Sequence, residues 1–461
     1  RSCLAGAVAP TASLAISEEG IAARSWRHMR SPCSNKGKGS LLKFLAGHAI
    51  PQAMNPPESY LGVSRSISGK LWLERPGDPR LAQAIAQRCQ VPELIGRLLA
   101  ARGQSLDSVE SFLNPRLRDL LPDPSDLKDM DLAADRLARA IQAGETIGIF
   151  GDYDVDGATS AALLIRFLRA IGAREPLLHV PDRMREGYGP NAAALRQMKA
   201  NGAGLVVTVD CGITAFAALE DAAANGLDVI ISDHHVAEPA LPKACAVVNP
   251  NRLDESSPHR NLAAVGVTYL LVVAVNRALR RAGWYGAGRT EPDLLQWLDL
   301  VALGTICDVV PLGGLNRALT TQGLKVMGQR GNLGINVLCD VARVNERLEG
   351  FHCGFLLGPR VNAGGRVGRS DLGARLLSTE DPALALQLAR ELDELNEERR
   401  ALEAEVLAAA TQLAEAEAAH NPHLLILAGE DWHPGVIGIV AGRLKDRYQR
   451  PVCIVALENG I

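Results

Sequence analysis

Residues 146–157 read TIGIFGDYDVDG, and this stretch decides how the surrounding chain folds. An apolar run at 146–150 is followed by three carboxylates two positions apart, Asp152, Asp154 and Asp156. The pattern predicts a β-strand that delivers three acidic side chains into one small volume. Negative charges held that close repel one another strongly unless cations lie between them. The stretch therefore predicts a divalent-metal site and, with it, chemistry on phosphates.

Composition sets limits on the class of protein. The 461 residues suffice for two or three domains with a substantial core. A hydrophobic content of 47% and a charged content of 22% are ordinary for a soluble protein. The net charge of −3 provides no overall attraction to nucleic acid, so binding to nucleic acid would require a local basic patch.

Cysteine usage and hydropathy bear on location. The nine cysteines include no CxxC pair, which argues against a disulfide framework or a zinc ribbon and favours a reducing cytoplasm. No uninterrupted apolar run is long enough to span a bilayer, so we expect no membrane association.

Strand-like runs alternate with helical segments from residue 145 onward. Strands separated by helices at intervals of roughly 20–30 residues predict βαβ units, an α/β fold and a mostly parallel sheet. Right-handed crossovers then place the carboxyl ends of all strands at one edge. The strand-like runs are 146–150, 176–180, 205–209, 228–232 and 245–248.

Regions outside the sheet have their own patterns. Long helical regions are predicted at about 262–306 and 382–420, the second being a charged connector between domains. Residues 54–144 are predicted to form an N-terminal extension of short helices. Residues 1–53 show little periodicity, and we expect them to be disordered or a non-native upstream segment, with Met54 as the native start.

Three further motifs place acidic or imidazole groups beside apolar runs. Asp210 ends the run at 205–209, the sequence Asp233-His234-His235 ends the run at 228–232, and Asp308 follows an apolar helix. Ligands of open α/β sheets bind at the carboxyl ends of strands, so these groups are expected to share one cleft with the aspartate triplet. Carboxylates with one or two imidazoles suit Mn²⁺ or Mg²⁺ better than a thiolate-rich zinc site would.

Each motif has a simpler interpretation when it is taken alone. A single Asp after a strand is often a helix N-cap or a turn former, and adjacent histidines are often structural. The triplet could belong to a calcium loop, but no Glu stands at the required position downstream, and a strand precedes it. The joint occurrence of the motifs is what predicts a metal site.

With these motifs in place, the chain resembles the DHH phosphoesterase superfamily, which is named for an Asp-His-His motif. Within that superfamily it is similar to bacterial exonucleases that digest single-stranded DNA from the 5′ to the 3′ end. The resemblance covers roughly residue 60 to the end of the chain. It is carried by the strings at 151–157, 209–213, 233–235, 265–267, 308–312, 357–366 and 432–439.

The resemblance implies two divalent cations, Mn²⁺ or Mg²⁺, held by six side chains. Asp154 and Asp210, with Asp152, would hold the first cation. Asp210 would bridge to the second, whose ligands would be Asp156, Asp210, His234 and Asp308. The residues implied as catalytic are Asp154, Asp156, Asp210, His234, His235 and Asp308.

Other residues gain roles from the same resemblance. His235 would face the substrate phosphate, and Asp233 would orient a ligand histidine without touching the metal. Many superfamily members have a His where this chain has Phe150, so Asp152 is expected to supply the missing ligand.

A Gly-rich segment is expected to hold the nucleic-acid backbone. Arg360 and Arg366 flank Asn362 in a predicted Gly-rich turn, which suits close approach to phosphate. Arg183, Arg185 and Tyr188, in another loop, are further candidates. The aromatic content of only 4% predicts little base stacking, as for a nuclease that follows the backbone without reading sequence.

The implied domain order is a DHH catalytic domain at 145–380, a connecting helix at 381–420 and a DHHA1-type domain at 421–461. We expect the last domain to be incomplete, with metal binding retained and processive digestion poor.

The implied activity is metal-dependent hydrolysis of phosphodiester bonds in single-stranded DNA during repair and recombination. A single-stranded-DNA-binding protein and a helicase are the expected partners of a monomeric enzyme. One alternative is a DHH-family phosphodiesterase for short oligoribonucleotides or cyclic dinucleotides. Another is a non-catalytic scaffold with this fold, although such proteins tend to lose the acidic ligands that this chain retains.

Overall fold

The structure, a computed structural model, forms two units. One reaches to Val109 and includes Leu457, and the other is Glu110–Ala456. The predictions for residues 1–53 and for Met54 as the native start lie outside the described residues. The structure describes residues 59–73, 77–286, 288–421 and 423–457.

Helices outnumber strands in the described chain. The α-helices are α1 (Pro79–Cys89), α2 (Glu93–Ala101), α3 (Val109–Leu113), α4 (Leu117–Leu120), α5 (Met130–Ala143), α6 (Val155–Ala170), α7 (Ala192–Ala200), α8 (Phe216–Ala224), α9 (Ala264–Arg281), α10 (Leu298–Cys307), α11 (Gly314–Gly328), α12 (Leu333–Val341), α13 (Gly350–His352), α14 (Gly358–Val367), α15 (Leu372–Ser378), α16 (Pro382–His420) and α17 (Pro434–Tyr448). A π-helical segment, Cys353–Leu357, joins α13 to α14, and 3-10 helices are Tyr60–Gly62, Pro124–Asp126 and Leu294–Trp297. The strands are β1 (Thr146–Gly151), β2 (Leu177–His179), β3 (Ala203–Val209), β4 (Asp228–Ser232), β5 (Ala246–Val248), β6 (Leu425–Glu430) and β7 (Val452–Leu457).

The central sheet is parallel throughout, as the sequence predicts. Its five strands lie in the order β2-β1-β3-β4-β5. Gly151 of β1 is in register with Val209 of β3, which is in register with Ser232 of β4. The residues that follow these three strands therefore emerge side by side. The strand order reverses at β1, and the edge at such a reversal is where α/β sheets bind ligands.

Both faces of the sheet are covered by helices. Ile147 and Ile149 of β1 lie in one hydrophobic cluster with α5, α6, α9 and α10. Phe150 lies in a second cluster with α7 and α8. This alternation follows from the two-residue period of a strand, and burial on both faces explains why the strands are almost wholly apolar.

One predicted helical region is divided in the structure. The segment expected to be helical at about 262–306 forms two helices, α9 and α10, with the 3-10 helix Leu294–Trp297 before the second. Gly283 follows the end of α9 with a φ of 69°, a left-handed conformation that glycine adopts at helix ends. The long connector helix was predicted correctly as α16.

The predicted Gly-rich turn around Arg360 is wrong, because residues 358–367 form the helix α14. Its glycines serve close packing. A Cβ atom at Gly365 would lie 2.7 Å from the carbonyl oxygen of Tyr153, and one at Gly358 would lie 2.6 Å from Cys307 Sγ. The glycine pattern therefore reports where the helix backbone approaches its neighbours, and no chain reversal is involved.

A smaller α/β region follows α16. Strands β6 and β7 pair, and a hydrophobic cluster joins β6 to α17 and to the second half of α16. Glu403 of α16 is buried and forms ion pairs with Arg399 and with Arg443 of α17. The connector helix is therefore packed against the second region along part of its length.

A glycine contact between α10 and α11 generates a stability prediction. A Cβ atom at Gly323 would lie 2.1 Å from the carbonyl oxygen of Leu298, whereas one at Gly328 would meet nothing within 4 Å. We expect Gly323→Ala to lower the free energy of unfolding by about 1–3 kcal/mol, because the helices must separate. The control Gly328→Ala should be neutral or stabilising by up to about 1 kcal/mol. Urea unfolding followed by circular dichroism measures both, and equal midpoints would contradict the predicted close contact.

Candidate metal centre

The predicted carboxylates and imidazoles meet at the carboxyl edge of the parallel sheet. Asp152 follows β1, Asp210 follows β3, the Asp233-His234-His235 sequence follows β4, and Asp308 is the C-cap of α10. The side chains form three overlapping groups, in each of which one ligand atom per residue lies within 4.8 Å of the others. The groups are Asp152, Asp154 and Asp210; Asp156, His234 and Asp308; and Asp210, His234 and His235.

The aspartate triplet is shaped by the start of α6. Asp154 is the N-cap residue, and its Oδ1 accepts hydrogen bonds from the backbone N–H groups of Asp156 at 2.8 Å and Gly157 at 3.1 Å. Glycine is required at 157 because a Cβ atom there would lie 2.5 Å from the carbonyl oxygen of Asp152. The helix start therefore bends the loop back on itself and brings the carboxylates together.

Asp156 is held by a segment that the sequence did not connect to it. Its Oδ2 accepts a hydrogen bond from the N–H of Ala264 at 2.6 Å, and its Oδ1 accepts one from the N–H of Val265 at 2.9 Å. Both donors lie at the N-terminus of α9, where unpaired N–H groups favour negative charge. The sequence at 265–267 was part of the family resemblance, but no role was assigned to it. The hydrogen bonds to Asp156 give this segment a role in holding an expected metal ligand.

Two buried carboxylate oxygens of this cluster have no hydrogen-bond donor. They are Oδ1 of Asp152 and Oδ1 of Asp210, and Nε2 of His234 lies 3.3 Å from the second without forming a hydrogen bond. Asp210 also has a φ of 62°, a left-handed conformation that is unusual for a residue other than glycine. Buried acceptors left without donors are costly, and backbone strain of this kind is concentrated at functional sites.

Electrostatics makes the same cluster unfavourable without a counter-charge. Burial raises the pKa of Asp152, Asp156 and Asp210 well above the usual range, and the charge of neighbouring carboxylates adds to the effect. Burial and the charge of Asp154 raise the pKa of Asp308 to about 7. Cations between these groups would offset both the cost of burying the carboxylates and their mutual repulsion. Carboxylate oxygens with one or two imidazoles are ligands that suit Mn²⁺ or Mg²⁺.

The two histidines have different partners. Nδ1 of His234 donates to the carbonyl oxygen of Leu262 at 3.0 Å, which leaves Nε2 directed at Asp210 and, at 3.9 Å, at Asp156. A metal-binding imidazole commonly has its other nitrogen fixed by a carbonyl in this way. Burial lowers the pKa of His234, and the charge of His235 adds to this, so the neutral form needed for a ligand is favoured.

Asp233 contacts both histidines, because its Oδ1 accepts hydrogen bonds from the backbone N–H groups of His234 at 2.7 Å and His235 at 3.1 Å, and its imidazole partner is His235. Oδ1 of Asp233 accepts a hydrogen bond from Nδ1 of His235 at 2.8 Å. Burial alone would lower the pKa of His235, but this hydrogen bond and the carboxylate charge outweigh it and raise the pKa to about 9. His235 is therefore a half-exposed cation beside the buried carboxylates, an arrangement that suits contact with a phosphate.

Phe150 stands where many superfamily members have a His. Its ring is buried in the hydrophobic cluster with α7 and α8, and its centroid lies 5.0 Å from that of His179. Asp152, two residues later, belongs to the first group of ligand atoms. The expectation that Asp152 serves as a ligand is compatible with this geometry.

The residues expected to bind nucleic acid have partners inside the protein. Arg360 donates to Asp393 and to the carbonyl oxygen of Leu356, both at 2.8 Å. Oδ1 of Asn362 accepts from the N–H of Val155 at 3.1 Å. Arg366 donates to the carbonyl oxygen of Gly435 at 3.2 Å, and burial lowers its pKa.

A tyrosine from another loop also supports the centre. The hydroxyl of Tyr188 donates to the carbonyl oxygen of Asp210 at 3.1 Å and lies 3.3 Å from Nδ1 of His235. In the same loop, the guanidinium of Arg183 lies 5.4 Å from the ring centroid of Tyr153. The sequence indicated Tyr188 and Arg183 as candidates for nucleic-acid contact. It did not predict that the Tyr188 hydroxyl would bond to the backbone of Asp210.

Comparisons with known proteins agree with this geometry. The sequence model of the DHH family, N-terminal domain, matches residues 146–305. The single-stranded-DNA-specific exonuclease RecJ of Dickeya dadantii is 41% identical over 377 residues, which are 79% of this chain and 64% of the relative. RecJ of Bacillus subtilis is 36% identical over 84% of this chain and 47% of its own length. The chain thus spans between about half and two thirds of the length of these relatives.

Solved structures extend the likeness to the fold. A crystal structure of exonuclease RecJ bound to manganese is 36% identical and matches with a TM-score of 0.63 over 73% of this chain and 81% of that chain. RecJ from Thermus thermophilus in complex with Mn²⁺ is 33% identical, with a TM-score of 0.69 over 83% of this chain and 53% of that chain.

The orphaned oxygen of Asp210 generates a prediction about stability. Asp210→Asn removes one charge from a buried set that repels itself, so we expect the thermal unfolding temperature of metal-free protein to rise by a few degrees. The increase that Mn²⁺ produces in the wild-type protein should shrink or vanish. Differential scanning calorimetry with EDTA and with Mn²⁺ tests both expectations. Asp340→Asn, which alters an exposed carboxylate paired with Arg330, is the control and should keep the full response to Mn²⁺.

Proposed function

Because the chain belongs to the RecJ family of DHH-domain proteins, we propose that it hydrolyses phosphodiester bonds of single-stranded DNA from the 5′ end with two divalent cations. The observation that carries this proposal is Asp210, whose buried Oδ1 lacks a donor and which belongs to two of the three groups of ligand atoms, while His234, 3.3 Å from it, belongs to the third. Asp152, Asp154 and Asp210 would hold one cation. Asp156, Asp210, His234 and Asp308 would hold the other.

Bound cations would activate a water molecule and neutralise charge on the phosphoryl oxygens. The side chains of this protein perform the other tasks. The carbonyl oxygen of Leu262 fixes the ring of His234, and Asp233 fixes the ring of His235. His235 is half-exposed and held through Nδ1 by Asp233, which raises its pKa to about 9 in the absence of cations, so its ring is suited to donate a hydrogen bond to a phosphate oxygen.

We also propose that residues of α14 contact the substrate. Arg360, Asn362 and Arg366 lie on a helix that approaches the aspartate loop at Tyr153 and Val155. Arg360 is the candidate for phosphate contact. Its ion pair with Asp393 is partly exposed, so its guanidinium can turn from the carboxylate to a phosphate. Arg366 is mostly buried and already bonded, so its contact with DNA would require rearrangement.

We also propose that the protein acts as a cytoplasmic monomer, with a single-stranded-DNA-binding protein and a helicase as partners in repair and recombination. The absence of paired cysteine motifs supports a reducing compartment. Within the part of the chain that the structure describes, no helix has the length and apolar character needed to cross a membrane.

A digestion assay tests the activity. Single-stranded DNA labelled at either end should be shortened from its 5′ end in Mn²⁺ or Mg²⁺, with little cleavage of duplex DNA and none in EDTA. We expect Asp156→Ala and Asp308→Ala each to reduce the rate by about a hundredfold or more, since even residues behind the ligands matter by 10–100-fold. Asp340→Ala is the control and should retain the wild-type rate.

Three outcomes would count against the proposal. Unchanged hydrolysis by Asp156→Ala would contradict the metal assignment. Faster cleavage of dinucleotides or cyclic dinucleotides than of long strands would favour the second DHH-family activity. Metal binding without any hydrolysis would favour a scaffold, although the complete set of acidic ligands argues against it.

A further inference from the structure

The start of α6 carries three N–H groups that need acceptors. Asp154 satisfies those of Asp156 and Gly157, which lie two and three residues further along the chain. It leaves the N–H of Val155, which lies between two expected metal ligands. The acceptor for this group comes from α14, where Oδ1 of Asn362 lies 3.1 Å from the Val155 nitrogen. The first turn of α6 is therefore completed by a side chain that is 207 residues away in sequence.

The same face of α14 also packs closely against Tyr153, the residue before Asp154. Gly365 lies one helical turn after Asn362, and a Cβ atom there would be 2.7 Å from the carbonyl oxygen of Tyr153 and 2.9 Å from its Cβ. Backbone packing at Tyr153 and a hydrogen bond at Val155 therefore fix the chain on both sides of Asp154. A loop held this way cannot rotate Asp154 without breaking the contact with α14.

Helix α14 is also anchored to elements other than the loop. Arg360 pairs with Asp393 of α16, and Arg366 donates to the carbonyl oxygen of Gly435 at the start of α17. A Cβ atom at Gly435 would lie 2.3 Å from the carbonyl oxygen of Arg366, so the two backbones are in close contact. The helix is fixed to the connector helix and to the second α/β region, and it can therefore act as a rigid support.

We propose that Asn362 is a positioning residue, which sets the geometry of the aspartate loop for cation binding through its hydrogen bond to Val155. This inference rests on the proposed metal-dependent function. It gives Asn362 a role other than the nucleic-acid contact that the sequence suggested. Repelling carboxylates would otherwise move apart, and the support from α14 holds Asp154 and Asp156 in place before the cations arrive.

The two roles differ in what they change. A residue that touches DNA alters the KM for DNA and leaves Mn²⁺ binding alone. A residue that positions the loop alters the affinity for Mn²⁺ when no DNA is present. It also alters the exchange of the Val155 amide hydrogen when neither metal nor DNA is present.

Three variants of the full chain separate these possibilities. Asn362→Ala removes the acceptor, and Asn362→Asp retains an oxygen in the same place. Asn332→Ala is the matched control, because Asn332 caps α12 through an equivalent hydrogen bond to the N–H of Ile335 at 3.1 Å, and α12 supplies no carboxylate to the cluster. Thermal unfolding of all three reports the general loss of stability.

Mn²⁺ affinity is measured by isothermal titration calorimetry without DNA. We expect Asn362→Ala to weaken binding by about fivefold to tenfold, the size of one lost hydrogen bond. Asn362→Asp keeps the acceptor and adds a negative charge near Asp154, so it should bind Mn²⁺ more tightly than Asn362→Ala does. Asn332→Ala should lower the unfolding temperature and leave Mn²⁺ affinity unchanged. Hydrogen exchange in EDTA should be faster in the segment containing Val155 for Asn362→Ala alone.

Other results would overturn the inference. Wild-type Mn²⁺ affinity in Asn362→Ala with a raised KM for DNA would assign the residue to nucleic-acid contact. Equal loss of affinity in Asn362→Ala and Asn332→Ala would reduce the effect to general destabilisation. If the wild-type protein binds no Mn²⁺, the proposed function itself fails. A wild-type protein that binds Mn²⁺ and cleaves DNA, beside unaffected variants, would refute only the role of Asn362.

Discussion

The repulsion among buried carboxylates at the end of the parallel sheet is the constraint on which the rest of the structure depends. Asp152, Asp156 and Asp210 are nearly inaccessible to water, and burial raises the pKa of each well above its usual range. A protein stabilises such a cluster only if the surrounding chain fixes it and a cation compensates it. Hydrogen bonds from backbone N–H groups of α9 to Asp156, and from the N–H of Val155 in the aspartate loop to Asn362 of α14, fix the cluster.

The sheet topology explains why these groups can meet at all. Strands β1, β3 and β4 are neighbours and parallel, with their last residues in register, so three separate segments of sequence end at one edge. Helix α10 then brings Asp308 to the same edge from outside the sheet. The segment after β1 contributes three of the expected ligands and each other segment contributes one, so the complete ligand set exists only in the folded domain. Metal binding is therefore a property of the assembled domain, and it is coupled to folding.

Much of the site could be read from the sequence because its signals are local. An apolar run that ends in a carboxylate marks both a strand and the edge at which it stops, which located Asp152, Asp210 and Asp233, and the end of an apolar helix located Asp308. The family resemblance then assigned two cations, and the family itself is confirmed by the relatives. The Gly-rich segment was misjudged, since glycine signals either a turn or a close approach, and only the neighbours of Gly358 and Gly365 show which. Which imidazole Asp233 contacts could not be read from the spacing of adjacent histidines, and the structure pairs its side chain with the ring of His235.

The sequence by itself determined the α/β class, the parallel sheet and the set of side chains at its edge, because strand periodicity and the residue after each strand are short-range properties. Tertiary structure alone decided the partners of those side chains. The donors to Asp156 are 108 and 109 residues away, and the acceptor for Val155 is 207 residues away. Leu262 holds His234 through a carbonyl group, which every residue possesses. Backbone groups and distant contacts leave no mark in a residue pattern, since any sequence that packs there can supply them.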